Sequence, residues 1–176
     1  MIILFNKPFN VLCQFTDKEG RKTLTDYIPI KNVYAAGRLD YDSEGLVILT
    51  DDGKLQNLIS DPKHKLEKTY WAQVEGLPSE KSLNKLRKGI LLKDGLAKPA
   101  KAKLIDSLKI TERNPPIRKR KNIQTSWIEL KISEGKNRQV RRMTAAVGHP
   151  TLRLIRYSIG NWTIENINPG NYIIIE

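Results

Sequence analysis

Short strand-forming runs recur from one end of this chain to the other, and they limit the fold more than any other feature. "IILF" (2–5) and "GLVILT" (45–50) are continuous apolar runs, which are typical of buried strands. "TSWIELKIS" (125–133) alternates apolar and polar residues, as a half-exposed strand does. Helical spacing is confined to a few stretches between these runs. We therefore predict an α+β fold with a mixed, mostly antiparallel sheet and a few helices.

The predicted helices carry start or stop signals. The first follows Asp51-Asp52, either of which can cap it, and Pro62 stops it. The second opens after Pro78-Ser79, where apolar residues then recur at helical spacing. The third covers residues 137–148 and ends at Gly148, because glycine readily adopts the backbone conformation that closes a helix.

The charge of the chain predicts a polyanionic partner. Its 176 residues include 31 Lys and Arg against 19 Asp and Glu, which gives a net charge of +12. Nucleic acid is the commonest partner of so basic a protein. A protein that is basic only for solubility is the alternative on charge alone.

Several classes of protein are disfavoured by composition. Cys13 is the one cysteine, so no disulfide forms within the chain, and His64 and His149 are the only histidines, so a zinc site is not expected. The opening segment lacks the basic leader of a signal peptide. No run approaches the roughly 20 apolar residues of a membrane span, so we expect no membrane association and a cytoplasmic location.

The stretch "GRLDYDSEGLVILTDDG" (37–53) concentrates acidic residues in this basic chain. Asp51 and Asp52 have a sufficient local role as helix caps, and we expect Asp42 and Glu44 to be exposed turn residues. Asp40 has no such local role. It precedes a buried strand, in a loop of the kind that often carries catalytic side chains. The residues alone leave catalysis and a structural Asp–Arg bridge as alternatives.

The stretch "EGKNRQVRRM" (134–143) predicts an amphipathic helix. One face of this helix is apolar and carries Val140, Met143 and Val147. The opposite face carries Arg138, Arg141 and Arg142. Adjacent arginines repel one another unless an anion meets them. RNA phosphates and Asp40 are the candidates, and a solvated basic face is the alternative.

Two further stretches are candidates for RNA contact. Tyr70 and Trp71 are neighbours on the predicted strand 68–74, so their side chains point to opposite faces. One should belong to the core, and the other could stack on an unpaired base. Core packing is the alternative role for either residue. The segment "TERNPPIRKRKNIQ" (111–124), called the basic loop below, is expected to contact phosphates or else to be a solvated tip. Its consecutive basic residues are Arg118, Lys119, Arg120 and Lys121.

Together these stretches resemble the pseudouridine synthases of the ribosomal small subunit pseudouridine synthase A family. The matching motifs are "NKP" (6–8), "AAGRLDYDSEGLVILTDDG" (35–53), "KTY" (68–70), "EGKNRQVRRM" (134–143) and "GHPTLRLIR" (148–156), in order. The basic loop and the run "PTLRLIRYSIG" resemble more narrowly the type E group of large-subunit ribosomal RNA synthases. Many family members carry an S4-type RNA-binding domain ahead of the catalytic part. Here the resemblance to the catalytic part begins near the first residue, so we expect a single catalytic domain over residues 1–176.

The resemblance implies roles for individual residues. Asp40 matches the catalytic aspartate, Arg141 the arginine that pairs with it, and Tyr70 the tyrosine that stacks on the target base and takes part in removing the C5 proton. Leu154 matches an apolar residue of the base pocket. Arg38 and Lys68 match positioning residues, and Arg138, Arg142 and the basic loop are candidates for binding RNA.

The implied reaction converts uridine to pseudouridine in ribosomal RNA, in a fold with two lobes around a cleft. Nothing is oxidised and no water enters the product, so no cofactor or metal is expected, and we expect a monomer. Two alternatives are a non-catalytic RNA-binding assembly factor and a metal-dependent nuclease that uses Asp40, Asp42 and Glu44. Activity in EDTA would separate a nuclease from a pseudouridine synthase.

Overall fold

The computed structural model describes residues 1–118 and 120–175. Lys119, one of the predicted RNA contacts, lies outside the described residues. The chain divides into two compact units, Met1–Leu66 with Ile155–Glu176, and Glu67–Leu154. Each unit is described separately below.

The elements follow one another as short strands with three interspersed α-helices in the described residues. The strands are β1 (Ile2–Lys7), β2 (Tyr34–Ala36), β3 (Glu44–Thr50), β4 (Lys68–Glu75), β5 (Leu91–Leu92), β6 (Gly95–Leu96), β7 (Lys101–Ile105), β8 (Thr125–Ile132), β9 (Thr151–Ile159), β10 (Trp162–Thr163) and β11 (Tyr172–Ile175). The helices are α1 (Gly53–Ser60), α2 (Glu80–Lys88) and α3 (Gln139–Ala146), with single 3₁₀ turns at Leu24–Asp26 and Pro62–His64.

The first unit is built on a mixed sheet. Its strand order is β11-β1-β3-β9, with β2 on β3 and β10 on β9. All pairs are antiparallel except β3 with β9, which run parallel with Glu44 opposite Ile155 and Gly45 opposite Arg156. Every residue of β3 is buried, as its continuous apolar run predicts. β9 starts in the second unit, and its residues from Ile155 onward belong to the first.

Helix α1 follows β3 directly, and its cap is Asp52. The Asp52 carboxylate accepts hydrogen bonds from the backbone N–H groups of Lys54 and Leu55, which would otherwise have no partner at the start of the helix. The neighbouring Asp51 instead pairs with the N-terminal amine at 3.0 Å, and the hydrogen bond from this amine lowers the pKa of Asp51. The predicted capping of α1 by one of these two residues is therefore confirmed.

The second unit holds an antiparallel sheet in the order β4-β8-β7. Helix α2 begins after Ser79, whose hydroxyl accepts from the Ser82 N–H, and it buries Leu83 and Leu86 in the apolar core of this unit. Strands β5 and β6 form a two-stranded hairpin after α2. The hairpin was not predicted, because two-residue strands are too short to show an alternating pattern.

The structure confirms the predicted α+β class with a mixed, mostly antiparallel sheet. Two details of the prediction are wrong. Glu44 is buried, because it is the first residue of β3 and pairs with β9, and Asp42 is half-buried. Arg138 lies just outside α3 in a left-handed backbone conformation (φ 52°), so the predicted helix starts at Gln139.

Candidate active site

Asp40 lies in the loop that joins β2 to β3 in the first unit. Its side chain is half-buried, and the preceding Leu39 is packed in the apolar core. The Asp40 carbonyl accepts a hydrogen bond from the Ser43 N–H at 3.1 Å, which closes a turn before β3 begins. The carboxylate is thus carried by a tight loop on a buried strand, as its position in the sequence predicts.

Arg156 fastens the loop ahead of Asp40. It is a buried residue of β9, and its guanidinium donates to the carbonyls of Leu46 and Gly37, each at 2.9 Å, and to that of Arg38 at 3.5 Å. Arg156 was not among the predicted functional residues. A cation inside the apolar run "LRLIRYSI" is the signal that could have found it, because a buried charge requires hydrogen-bond partners.

Lys7 fastens the loop after Asp40. It is the last residue of β1 and has no exposed surface, and its ammonium donates to the carbonyls of Pro8 (2.8 Å), Val11 (2.8 Å) and Tyr41 (3.3 Å). Burial lowers the pKa of Lys7 from 10.5 to about 8, although the negative charge of nearby groups, the Asp40 carboxylate among them, partly offsets the effect.

Arg38, a predicted positioning residue, has an exposed side chain. Its guanidinium donates to the Gln14 side-chain oxygen at 3.0 Å, which links the Asp40 loop to the segment after β1. The exposed position leaves this cation accessible to solvent and to a large ligand.

Tyr70 and Leu154 both belong to the apolar core of the second unit, together with Val140 and Met143 of α3. Tyr70 retains 9% of its surface and Leu154 retains 5%, so each is almost entirely packed. Trp71, on the other face of β4, is half-buried, and its indole N–H donates to Glu129 at 3.4 Å. Tyr70, rather than Trp71, is therefore the core residue of the pair. The burial pattern alone would assign base stacking to Trp71, whereas the family resemblance assigns it to Tyr70.

The arginines of the predicted amphipathic helix line one surface pocket of the second unit. Arg138, Arg141 and Arg142 share this pocket with Asp94 of the β5–β6 hairpin. Arg142 pairs with Asp94 at 2.6 Å, and the guanidinium holds the pKa of the Asp94 carboxyl below its usual range. Three arginines and a single carboxylate are thus among the residues that line this pocket.

Lys68, the other predicted positioning residue, is the first residue of β4 and is half-buried. Its ammonium lies close to Gly135, since a Cβ atom added there would be 3.6 Å from the Lys68 nitrogen. Lys68 thus reaches the segment that leads into α3.

The basic loop is anchored at its start and has an exposed tip. Arg113 donates to the carbonyls of Pro115 (2.9 Å), Pro116 (3.2 Å) and Leu152 (3.2 Å), which ties the start of the loop to β9. Arg118, Arg120 and Lys121 are exposed. Arg120 is also 3.6 Å from the Glu75 carboxylate, so part of the charge of the loop is already balanced. The anchoring role of Arg113 was not predicted.

Neither metal ligation nor membrane insertion is indicated by the part of the chain that the structure describes. Within residues 1–118 and 120–175, no three His, Cys, Asp or Glu side chains come together as a possible metal site. The nuclease alternative built on Asp40, Asp42 and Glu44 therefore has no preformed metal cluster to support it. Over the same residues, no helix is long and apolar enough to cross a bilayer.

The fold and sequence match known proteins over almost the whole chain. The chain is 60% identical over 171 residues to "Ribosomal large subunit pseudouridine synthase E" of Vibrio parahaemolyticus, covering 97% of this chain and 72% of that protein. It is 51% identical over 172 residues to the protein of the same name in Xanthomonas axonopodis, covering 96% and 90%. The solved structure titled "Crystal structure of pseudouridylate synthase" superposes with a TM-score of 0.82 at 31% identity, covering 99% of this chain and 70% of that one.

The structural match confirms the predicted pseudouridine synthase fold. A family profile described as RNA pseudouridylate synthase matches residues 1–146, which include the predicted motifs around Asp40, Tyr70 and Arg141. These matches, with the Asp40 loop and the basic pocket described above, lead to one conclusion: this chain belongs to the RNA pseudouridylate synthase family.

Proposed function

We propose that this protein converts a specific uridine to pseudouridine in large-subunit ribosomal RNA, as a synthase of type E. The observation that carries the proposal is the 60% identity over 97% of this chain to a relative named for that activity. The net charge of +12 also supports a polyanionic substrate such as ribosomal RNA.

The reaction requires a carboxylate and no external reagent. The N1–C1′ bond breaks, the base turns, C5 joins C1′, and the proton that leaves C5 is balanced by one taken up at N1. We assign the carboxylate to Asp40, which either attacks C1′ or removes a proton on a glycal path. Because the atoms balance within the nucleotide, the proposal includes no metal and no cofactor.

We assign Tyr70 and Leu154 to the pocket for the target base. The base must leave its stack to be reached, and an aromatic ring beside an apolar side chain stabilises it outside the helix. The shared apolar cluster of Tyr70 and Leu154 supports this assignment. In it, Tyr70 stacks on the base and takes part in removing the C5 proton.

We assign Arg141 to the Asp40 carboxylate. A paired arginine keeps a carboxylate ionised where water is scarce, and its fixed fork orients the carboxylate better than lysine does. Arg138, Arg142 and the basic loop would bind phosphates, with Arg38 and Lys68 in positioning roles. Arg142 would first have to exchange its partner Asp94 for a phosphate.

Asp40→Asn is the decisive experiment. Pseudouridine formation is measured on ribosomal RNA from cells that lack the gene, with RNA affinity and thermal unfolding measured in parallel. We expect turnover to be lost while binding and folding persist, because the loop is held by its backbone. Asp42→Asn, which changes a half-buried carboxylate in the same loop, should stay close to wild type. Activity of Asp40→Asn within tenfold of wild type would refute the assignment.

The same assay, with and without EDTA, separates the two alternative functions. A non-catalytic RNA-binding assembly factor would form no pseudouridine in its wild-type form and would be unaffected by Asp40→Asn. A metal-dependent nuclease would lose activity in EDTA, whereas the proposed synthase would not.

Tyr70→Phe tests the second assignment. The ring is retained and the hydroxyl is lost, so RNA should bind with nearly unchanged affinity while turnover falls severely. Tyr70→Ala should also weaken binding, by about 1–3 kcal/mol of stacking energy. Normal turnover of Tyr70→Phe would leave stacking as the only role of this residue.

Arg141→Met tests the proposed pairing with Asp40. Loss of the cation should lower the single-turnover rate severely, because the Asp40 carboxylate would lose the guanidinium that orients it. Arg142→Met is the matched comparison, since it changes the neighbouring residue of the same helix. It should weaken RNA binding without lowering the rate at saturating RNA, and an equal loss of rate in both variants would contradict the pairing.

We further propose that residues 1–176 act as one catalytic domain and as a monomer in the cytoplasm, where the single thiol of Cys13 is kept reduced. Cys13 is buried and forms no disulfide, which is compatible with that setting. Sedimentation of the active protein with and without RNA tests the oligomeric state.

A further inference from the structure

We propose that Lys7 and Arg156 are positioning residues that hold Asp40 in its reactive geometry by binding the backbone on both sides of it. The proposal rests on the assignment of Asp40 as the catalytic carboxylate. Lys7 belongs to the "NKP" motif, to which the proposed function gives no task.

The burial of Lys7 requires an explanation. Its side chain is 0% exposed, and removing an ammonium from water is costly unless its donors find partners. An ammonium has three donors, and Lys7 directs them to three backbone carbonyls. Two of these carbonyls belong to Pro8 and Val11, in the segment that follows β1. The third belongs to Tyr41, the residue directly after Asp40.

Arg156 makes the corresponding contacts on the other side. It lies on β9, whose neighbour β3 follows the Asp40 loop, and its guanidinium reaches the carbonyls of Gly37 and Arg38 before Asp40. A third contact to the Leu46 carbonyl anchors the guanidinium to β3 itself. A planar guanidinium that serves several carbonyls at once holds them in one fixed arrangement.

Together the two cations constrain a very short piece of chain. Gly37, Arg38 and Tyr41 are bound by buried charges, and the carbonyl of Asp40 is bound by the Ser43 N–H. A side chain on so constrained a backbone has few orientations, and small displacements of a reacting group are costly in rate.

Lys7→Met tests the proposal, because methionine fills the same space without charge or donors. Single-turnover rates at saturating ribosomal RNA and the RNA dissociation constant are both measured, at a temperature where each variant is fully folded by circular dichroism. We expect the rate to fall about 10- to 100-fold while the dissociation constant changes less than twofold.

Arg87→Met is the matched control. Arg87 also donates to a backbone carbonyl, that of Ala102 at 2.9 Å, but it lies in the second unit and away in sequence from the Asp40 loop. Its loss should lower stability without lowering the rate more than twofold. Arg156→Lys provides a second test if Lys7→Met folds poorly. Lysine replaces some of the carbonyl contacts, so its rate should lie between those of wild type and Arg156→Met.

The outcomes distinguish this proposal from the assignment of Asp40. If Asp40→Asn is inactive and Lys7→Met and Arg156→Met react at the wild-type rate, the positioning proposal is wrong and the catalytic assignment stands. If the rates of these variants fall only as far as their RNA affinity or folded fraction does, the two cations stabilise the fold alone, and the proposal is again wrong. If Asp40→Asn remains active, the catalytic assignment fails and the positioning proposal fails with it.

Discussion

Burial of Lys7 should make the stability of this protein rise with pH in the alkaline range. The pKa of Lys7 is lowered to about 8 by burial, against 10.5 for a solvated lysine. The folded chain therefore gives up this proton more readily than the unfolded chain. The cost of burying the charge is fully present below about pH 8 and disappears as the pH approaches 10.5.

The magnitude follows from the two pKa values. One pKa unit corresponds to about 1.4 kcal/mol, so the full cost of burying the charge is roughly 3 kcal/mol. Between pH 7 and pH 10, the contribution of Lys7 to the free energy of unfolding should rise by roughly 2–3 kcal/mol. Because the side chain has no exposed surface, solvent screening does not reduce this figure substantially.

Urea unfolding of wild type and Lys7→Met at a series of pH values is the assay. Other groups titrate in both chains, so the quantity to follow is the difference in unfolding free energy between them. The unfolding free energy of wild type should rise relative to that of Lys7→Met by roughly 2–3 kcal/mol from pH 7 to pH 10. A constant difference, or one that moves against wild type, would refute the reasoning.

Three further predictions concern RNA binding and packing. Replacing residues 118–121 of the basic loop by alanine should reduce the slope of log K against log salt. The reduction is at most about four units if all four side chains contact duplex phosphates, and we expect a smaller value because Arg120 is already paired with Glu75. An unchanged slope would exclude the loop from the interface. Leu86→Ala, at a fully buried position on the inner face of α2, should lower the free energy of unfolding by about 2–5 kcal/mol, and a loss below about 1 kcal/mol in urea unfolding would contradict the packing of α2 against the core. Gly45→Ala should destabilise the first unit by about 3 kcal/mol or more, since φ is +110° and a Cβ atom would lie 2.2 Å from the Arg156 carbonyl oxygen; a wild-type melting temperature would contradict the parallel β3–β9 pairing.

Local features of this protein could be predicted from the sequence because their causes are local. The continuous apolar run 45–50 predicts a buried strand whatever its neighbours are, and β3 is one. Asp52 caps α1 and Ser79 caps α2 through backbone groups two or three residues away. The acidic stretch could be divided in the same way, since capping accounts for Asp52 and leaves Asp40 without a local role.

The support of the candidate site was decided only by the tertiary structure. The Lys7 ammonium finds its carbonyl partner Tyr41 34 residues away, and Arg156 reaches Gly37 across 119 residues. Glu44 was expected to be exposed and is buried, because its partner strand β9 comes more than a hundred residues later. Backbone carbonyls are present at every position and carry no sequence signal. A sequence can therefore suggest that a buried cation needs partners, but only the folded chain determines which carbonyls they are, and here they are the ones beside Asp40.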